Sequence, residues 1–372
     1  MIHSLTFAPQ NPRDNPGGSP AGETRLEYAG AFRLVRKVAT GGMATVYEAE
    51  QLGPAGFAKR IALKVIHPEF ARRPEFLRLF IDEARLSANL LHGNIVQVYQ
   101  LGEIGGDYFI AMEYIQGPTL RALIDRHREL GEPIPHTLAA YVASRVCRAL
   151  DFAHHAVDAE GRRLEVVHRD VSPGNVMVTW DGHIKLGDFG IAKAATSVDP
   201  AGDGRVLLGK KHYISPEQAL GLHVGQPSDV FSLGVVLFEL LSLQPLFHEE
   251  TTRLMIEEVA VEPLPPPRLF IPGLNPDLEQ ILMMTLDRRP ERRSTAAATG
   301  QALDDWITGQ QRPASPDQLQ RHLARIFPTS YQPRTVLGGV PASGEQTTFS
   351  NLEGAIRHRS WLKRLGGWVR GR

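Results

Sequence analysis

Cysteine is almost missing from this sequence: Cys147 is the only one in 372 residues. An internal disulfide is therefore excluded. The usage fits a reducing compartment, and the apolar helical pattern around Cys147 suits a buried structural thiol. Net charge is missing too, since 41 basic side chains balance 41 acidic ones. No overall field draws the chain to nucleic acid or to an acidic membrane. No uncharged apolar run is long enough to span a bilayer. The first residues lack a basic region, and Pro9, Pro12, Pro16 and Pro20 interrupt any apolar stretch, so a signal peptide is not expected and a cytoplasmic location is. No fixed-period repeat points to a solenoid.

What is present suffices for two domains or one large two-lobed domain with tails. Residues 1–27, rich in Pro, Gly and Asn, read as a disordered leader. From Tyr28 the pattern predicts strands at Phe32–Arg36, Ala44–Ala49, Arg60–Ile66, Ile95–Leu101 and Tyr108–Ile115, with a helix from Pro74 to His92. Residues 28–115 thus form a small β-rich part with one main helix, and residues 116–308 a larger, mostly helical one. Leu138–Ala156, Leu278–Leu286 and Thr295–Ile307 read as helices, and Val230–Leu241 is apolar all round, as a buried helix must be. Ser315-Pro316 supplies an N-cap and first-turn proline for an accessory helix within 309–328, which either docks on the helical part or waits for a partner. Residues 329–350 read as a linker and 351–372 as a basic, aromatic tail.

Chemistry concentrates in His168-Arg169-Asp170-Val171-Ser172-Pro173-Gly174-Asn175 and the following Asp188-Phe189-Gly190. Asp170 can accept a proton from a hydroxyl, and Asn175 and Asp188 offer hard oxygen ligands suited to magnesium. Upstream, the turn through Val38, Ala39, Gly41, Gly42 and Val46 is either a plain Gly-Gly hairpin or a cover whose backbone N–H groups approach phosphates. Lys64 lies among Ile61, Ala62, Leu63, Val65 and Ile66, either on the solvent face of an edge strand or paired with Glu83 of the following helix.

As a set, these motifs resemble a protein kinase of the bacterial eukaryotic-like (Hanks-type) Ser/Thr class, across about Phe32 to Ile307. The resemblance implies an α+β, two-lobed kinase-like fold and transfer of the ATP γ-phosphoryl group to protein Ser or Thr hydroxyls, the chain itself included. It implies ATP and Mg2+ as cofactors. Lys64, held by Glu83, would meet the α- and β-phosphates, and Asp170 would take the hydroxyl proton. Val46, Ala62 and Met177 would enclose the adenine, with the backbone from Glu113 to Ile115 reading its edge. Asn175 and Asp188 would hold metal. Thr196 and Ser197 are the phosphosite candidates of the activation loop. Glu217, Asp229 and Arg293 would give structural support.

The chain also departs from that pattern. Ala39 and Ala44 replace two of three usual glycines, which would weaken or slow closure over the nucleotide. Ser172 stands where the catalytic loop usually carries a lysine; losing that charge-assisted bond costs roughly 1.5–3 kcal/mol, or about 10- to 100-fold in rate. Lys210, where threonine is usual, either delivers its ammonium into the space beside Ser172 or points to solvent with Lys211. The tail interleaves Arg357, Arg359, Lys363, Arg364, Arg370 and Arg372 with Trp361, Leu365 and Trp368, and is either a solvated tail or a weak membrane-surface contact. Two rival functions are a nucleotide-binding scaffold with little catalysis and a kinase-fold enzyme acting on a small molecule. Retention of Asp170 and Asp188 argues against the first, and Ser215-Pro216-Glu217 against the second.

Overall fold

The computed structural model describes residues 26–28, 32–104, 106–158, 160–189, 211–247, 259–261 and 263–331. Six antiparallel strands come first: β1 (Leu26–Tyr28), β2 (Phe32–Thr40), β3 (Ala44–Leu52), β4 (Ala58–Ile66), β5 (Val98–Ile104) and β6 (Asp107–Glu113). They lie in the order β1-β2-β3-β4-β6-β5. Because successive side chains point to opposite faces, the sheet sorts its apolar residues into two groups. Phe32, Leu34, Ala49, Ile61, Leu63, Phe109 and Ala111 form one small core. Ala44, Ile66 and Ile110 pack instead on Phe80 and Ala84.

Those two residues belong to helix α2 (Pro74–Ala88), which follows a one-turn helix, α1 (Pro68–Ala71). Helix α2 buries Phe80, Glu83, Ala84 and Ser87, three or four residues apart. It stops at Ala88, short of the His92 read from the pattern, because Asn89 caps it by donating its side-chain amide to the Arg85 carbonyl. Two strands also differ from the sequence reading. Ile95 lies in a parallel bridge opposite Leu186, whose backbone bonds to Asn94 and Val96, so β5 begins only at Val98. Strand β1 pairs with β2, so Leu26 and Glu27 belong to the sheet rather than to the leader.

The second lobe is helical: α3 (Leu120–Leu130), α4 (His136–His154), α5 (Pro216–Ala219), α6 (Gln226–Ser242), α7 (Pro276–Thr285), α8 (Ala296–Thr308) and α9 (Pro316–Ile326). A two-stranded hairpin, β7 (Val176–Val178) and β8 (Ile184–Leu186), lies among them. Every residue of α6 from Ser228 to Leu241 is buried. An all-round apolar helix of this kind forms the centre of a core that also takes in α4, α7 and α8. Cys147 is buried in α4, and burial raises its thiol pKa.

Helix α9 docks on this lobe. Ser315 caps it through its hydroxyl, and Leu319, Leu323 and Ile326 enter the same large core. Gly182, with φ 84°, sits beneath it; an added Cβ would stand 2.0 Å from the Pro316 carbonyl oxygen. Among the described residues, no helix is long and apolar enough to cross a membrane. Nearly all of the leader, most of the linker and the basic tail lie outside the described residues.

Candidate active site

Strand β4 lies between β3 and β6, so Lys64 is on a central strand and not an edge. Its register partners are Val46 and Ile110. The Lys64 Nζ lies 2.6 Å from Glu83 Oε1 and 3.0 Å from Asp188 Oδ1. Burial alone would lower the lysine's pKa; Asp188 and then Glu83 outweigh it and hold the pKa above its ordinary value. The ammonium is therefore charged, desolvated and aimed. The pocket around it is lined by Glu83, Ala84, Val96, Ile110, Met112, Asp188 and Phe189.

The segment from His168 to Asn175 is held by one buried carboxylate. Asp229, at the start of α6, accepts the backbone N–H groups of His168 at 2.8 Å and Arg169 at 2.7 Å, and lies 2.9 Å from His154 Nε2. His168 is buried and burial lowers its pKa, so the imidazole is neutral. Its Nδ1 accepts the Asp170 N–H at 3.2 Å, which leaves Nε2 to donate to the Gly187 carbonyl at 3.0 Å. One ring thus ties the Asp170 segment to the Asp188 segment. Arg169 (φ 64°) and Asp188 (φ 56°) both take left-handed backbone conformations, strain of the kind that a surrounding framework must enforce.

Asn175 donates its side-chain amide to the Asp170 carbonyl and to Asp170 Oδ2, each at 2.8 Å. Glu217 lies between Arg293, at 2.6 and 2.8 Å, and the Ser228 hydroxyl. These bonds lower its pKa against the opposing effect of burial. Ser172 is 2% exposed, and its Oγ has no hydrogen-bond partner among the described residues.

Val38, Ala39, Gly41, Gly42 and Val46 occupy β2, β3 and the turn between them, where Gly41 N–H donates to the Ala44 carbonyl at 2.9 Å. Ala62 lies on β4 beside Met112, and Met177 on β7 bridges to Thr119. Glu113 and Ile115 lie at the junction of the lobes. Lys210, Thr196 and Ser197 lie outside the described residues.

Several contributors have no short-range signature. His154 supports Asp229 from α4, and Gln218 donates to the Arg169 carbonyl at 3.0 Å. Glu239 is fully buried, yet it binds Arg121, Arg128 and Tyr213 at once. The one available hint was a charged residue inside the apolar helix α6, since a buried carboxylate requires partners.

A small sheet with one helix, a larger helical lobe, and a lysine–carboxylate cluster between them define a two-lobed phosphotransferase fold. Residues 32–306 match the protein kinase domain family, and the chain belongs to it. It is 40% identical over 288 residues to tyrosine-protein kinase MasK of Myxococcus xanthus, covering 76% of this chain and 44% of MasK. Serine/threonine-protein kinase PknA of Mycobacterium tuberculosis is 35% identical over 300 residues, 79% of this chain and 65% of PknA. The chain therefore spans less than two thirds of either relative. The crystal structure of the Mycobacterium tuberculosis PknI kinase domain aligns with a TM-score of 0.55 and 27% identity, over 75% of this chain and 97% of that one.

Proposed function

We propose that this chain transfers the γ-phosphoryl group of ATP to serine and threonine hydroxyls of proteins, its own included, with Mg2+. The observation that carries this reading is Lys64 held between Glu83 and Asp188 at 2.6 and 3.0 Å. A buried ammonium fixed by two carboxylates is suited to polyphosphate, which would bring further negative charge to it.

The remaining residues supply the other parts. Asp170 orients the acceptor hydroxyl and takes its proton. Asn175 commits its amide nitrogen to Asp170, so its carbonyl oxygen is the atom of that side chain that would serve as a ligand. That oxygen and the Asp188 carboxylate form a sparse, hard donor set. Such a set fits Mg2+, which takes one or two protein oxygens and completes its shell with phosphate and water. Bound there, the ion would neutralise charge developing on the phosphates. Val46, Ala62 and Met177 provide apolar walls for a purine, and the backbone from Glu113 to Ile115 its polar edge.

Ser172 removes the usual phosphate-facing ammonium from the catalytic loop. Lys210 is proposed to replace it. Support comes from the small, uncharged side chain of Ser172, which brings no cation of its own to that point of the loop.

A second reading, tyrosine as acceptor, is favoured by the name of MasK, a tyrosine-protein kinase 40% identical to this chain. Phosphoamino-acid analysis of the autophosphorylated chain separates the two. Phosphoserine and phosphothreonine, mapped to Thr196 or Ser197, are the expected result; phosphotyrosine alone would replace the first reading with the second.

A further inference from the structure

Glu113, which ends β6, and Tyr114, which follows it, are anchored to different lobes. Successive side chains of an extended segment point in opposite directions. Glu113 and Tyr114 use that alternation to reach opposite partners.

Glu113 reaches the larger lobe. Its Oε2 accepts from Lys185 Nζ at 2.8 Å and from the Gln97 N–H at 3.2 Å. Its own N–H returns to the Gln97 carbonyl at 2.8 Å. Lys185 belongs to β8, three residues before Asp188, and pairs in register with Met177. The Lys185 side chain is only 16% exposed, so solvent screens this ion pair weakly.

Tyr114 reaches the smaller lobe. Its hydroxyl donates to Glu48 Oε2 at 2.8 Å and accepts from an Arg36 N–H at 2.9 Å. Glu48 lies on β3 and is 4% exposed. Arg36 and Arg60 also pair with it, at 2.8 and 3.2 Å, so its charge is compensated.

We propose that Lys185 and Glu48 are positioning residues for the nucleotide, tethering the Glu113–Tyr114 segment from opposite lobes so that its backbone is preset to meet the adenine edge. The inference rests on the nucleotide reading above. Neither residue touches the reacting atoms. Each acts through a side chain of the connecting segment, and both tethers meet adjacent to the peptide groups assigned to the adenine. Preorganising a binding segment improves affinity by lowering the ordering that binding would otherwise require.

The test is calorimetric titration of MgATP into the full chain and into Lys185→Met, Lys185→Arg and Tyr114→Phe, with turnover measured alongside. The expected result for Lys185→Met is a dissociation constant about 10-fold higher, equivalent to about 1.4 kcal/mol. Tyr114→Phe is expected to give roughly a 3-fold rise, the scale of one ordinary hydrogen bond. KM for ATP should rise in parallel while kcat at saturating ATP stays near the wild-type value. Lys185→Arg should restore affinity. A purely structural pair would lower the melting temperature without this split between KM and kcat. Unchanged affinity in both Lys185→Met and Tyr114→Phe, with wild type binding MgATP, overturns this inference alone. A wild-type chain that binds no MgATP overturns the function reading and this inference together.

Discussion

His127 on α3 and His322 on α9 share a hydrogen bond, their Nε2 atoms 2.9 Å apart and their rings stacked. One of the two nitrogens must be an unprotonated acceptor, so the contact excludes the doubly charged pair. Burial, His127 and Arg325 together push the His322 pKa down to about 4 from an ordinary 6.5, while nearby Glu132 opposes them. Burial also lowers the His127 pKa.

A depressed histidine pKa means that the unfolded chain takes up the proton first. Stability from this pair is therefore complete above about pH 6.5, falls as pH drops, and is lost below about pH 4. His322→Gln keeps a polar partner for His127 but does not titrate. Its melting temperature should fall less between pH 7 and pH 5 than that of wild type. Parallel falls would show that the pair does not contribute.

Breaking the Glu217–Arg293 pair should be costly. Arg293→Met leaves the Glu217 carboxylate buried without its bidentate partner, and is expected to destabilise the fold by about 3–5 kcal/mol. Denaturant unfolding measures this. Adding Glu217→Gln to Arg293→Met should recover part of the loss, since the uncompensated charge is then gone.

The two alanines at the β2–β3 hairpin, expected from the sequence to weaken or slow closure over a nucleotide, are instead predicted to be harmless. Neither Ala39 nor Ala44 has a positive φ, so neither backbone needs glycine. Ala39→Gly with Ala44→Gly should bring no gain in ATP affinity and lose roughly 0.5–1 kcal/mol of stability per site. Tighter MgATP binding by the glycine variant would show that the alanines impair the cover.

Much of this was legible in the sequence because it is local. The Asp170–Asn175 loop and the Ser315 cap each lie within a short segment whose spacing encodes the contact, and the buried helix is marked by an apolar run. Lys64 was ambiguous, because an apolar strand with one lysine does not say whether it is central or at an edge; only the pairing of β4 with β3 and β6 decides that. The Glu113–Lys185 and Tyr114–Glu48 tethers were not legible. They join residues 72 and 66 apart in sequence, and each partner alone looks like an ordinary polar surface residue. The ends of β5 and α2 were misplaced because Ile95, Val96 and Asn89 serve contacts that periodicity does not encode.

The proposed transfer of the phosphate-facing ammonium from position 172 to Lys210 makes a sharp prediction. Lys210→Met should reduce phosphotransfer about 10- to 100-fold, the effect of one charge-assisted bond felt in the transition state. Lys211→Met should not. Ser172→Lys combined with Lys210→Thr should retain more activity than either single change. Equal activity in Lys210→Met and Lys211→Met would contradict the exchange.

The most direct test of the whole account is label incorporation from [γ-32P]ATP with Mg2+ into the purified chain and a generic protein acceptor, beside Asp170→Asn. Asp170→Asn keeps the size of the side chain but cannot take the hydroxyl proton. The account predicts robust incorporation by wild type and a loss of about 10²- to 10⁴-fold in the variant, the usual scale of a removed general base. Equal incorporation by both chains, or none by wild type while it binds MgATP, would contradict it.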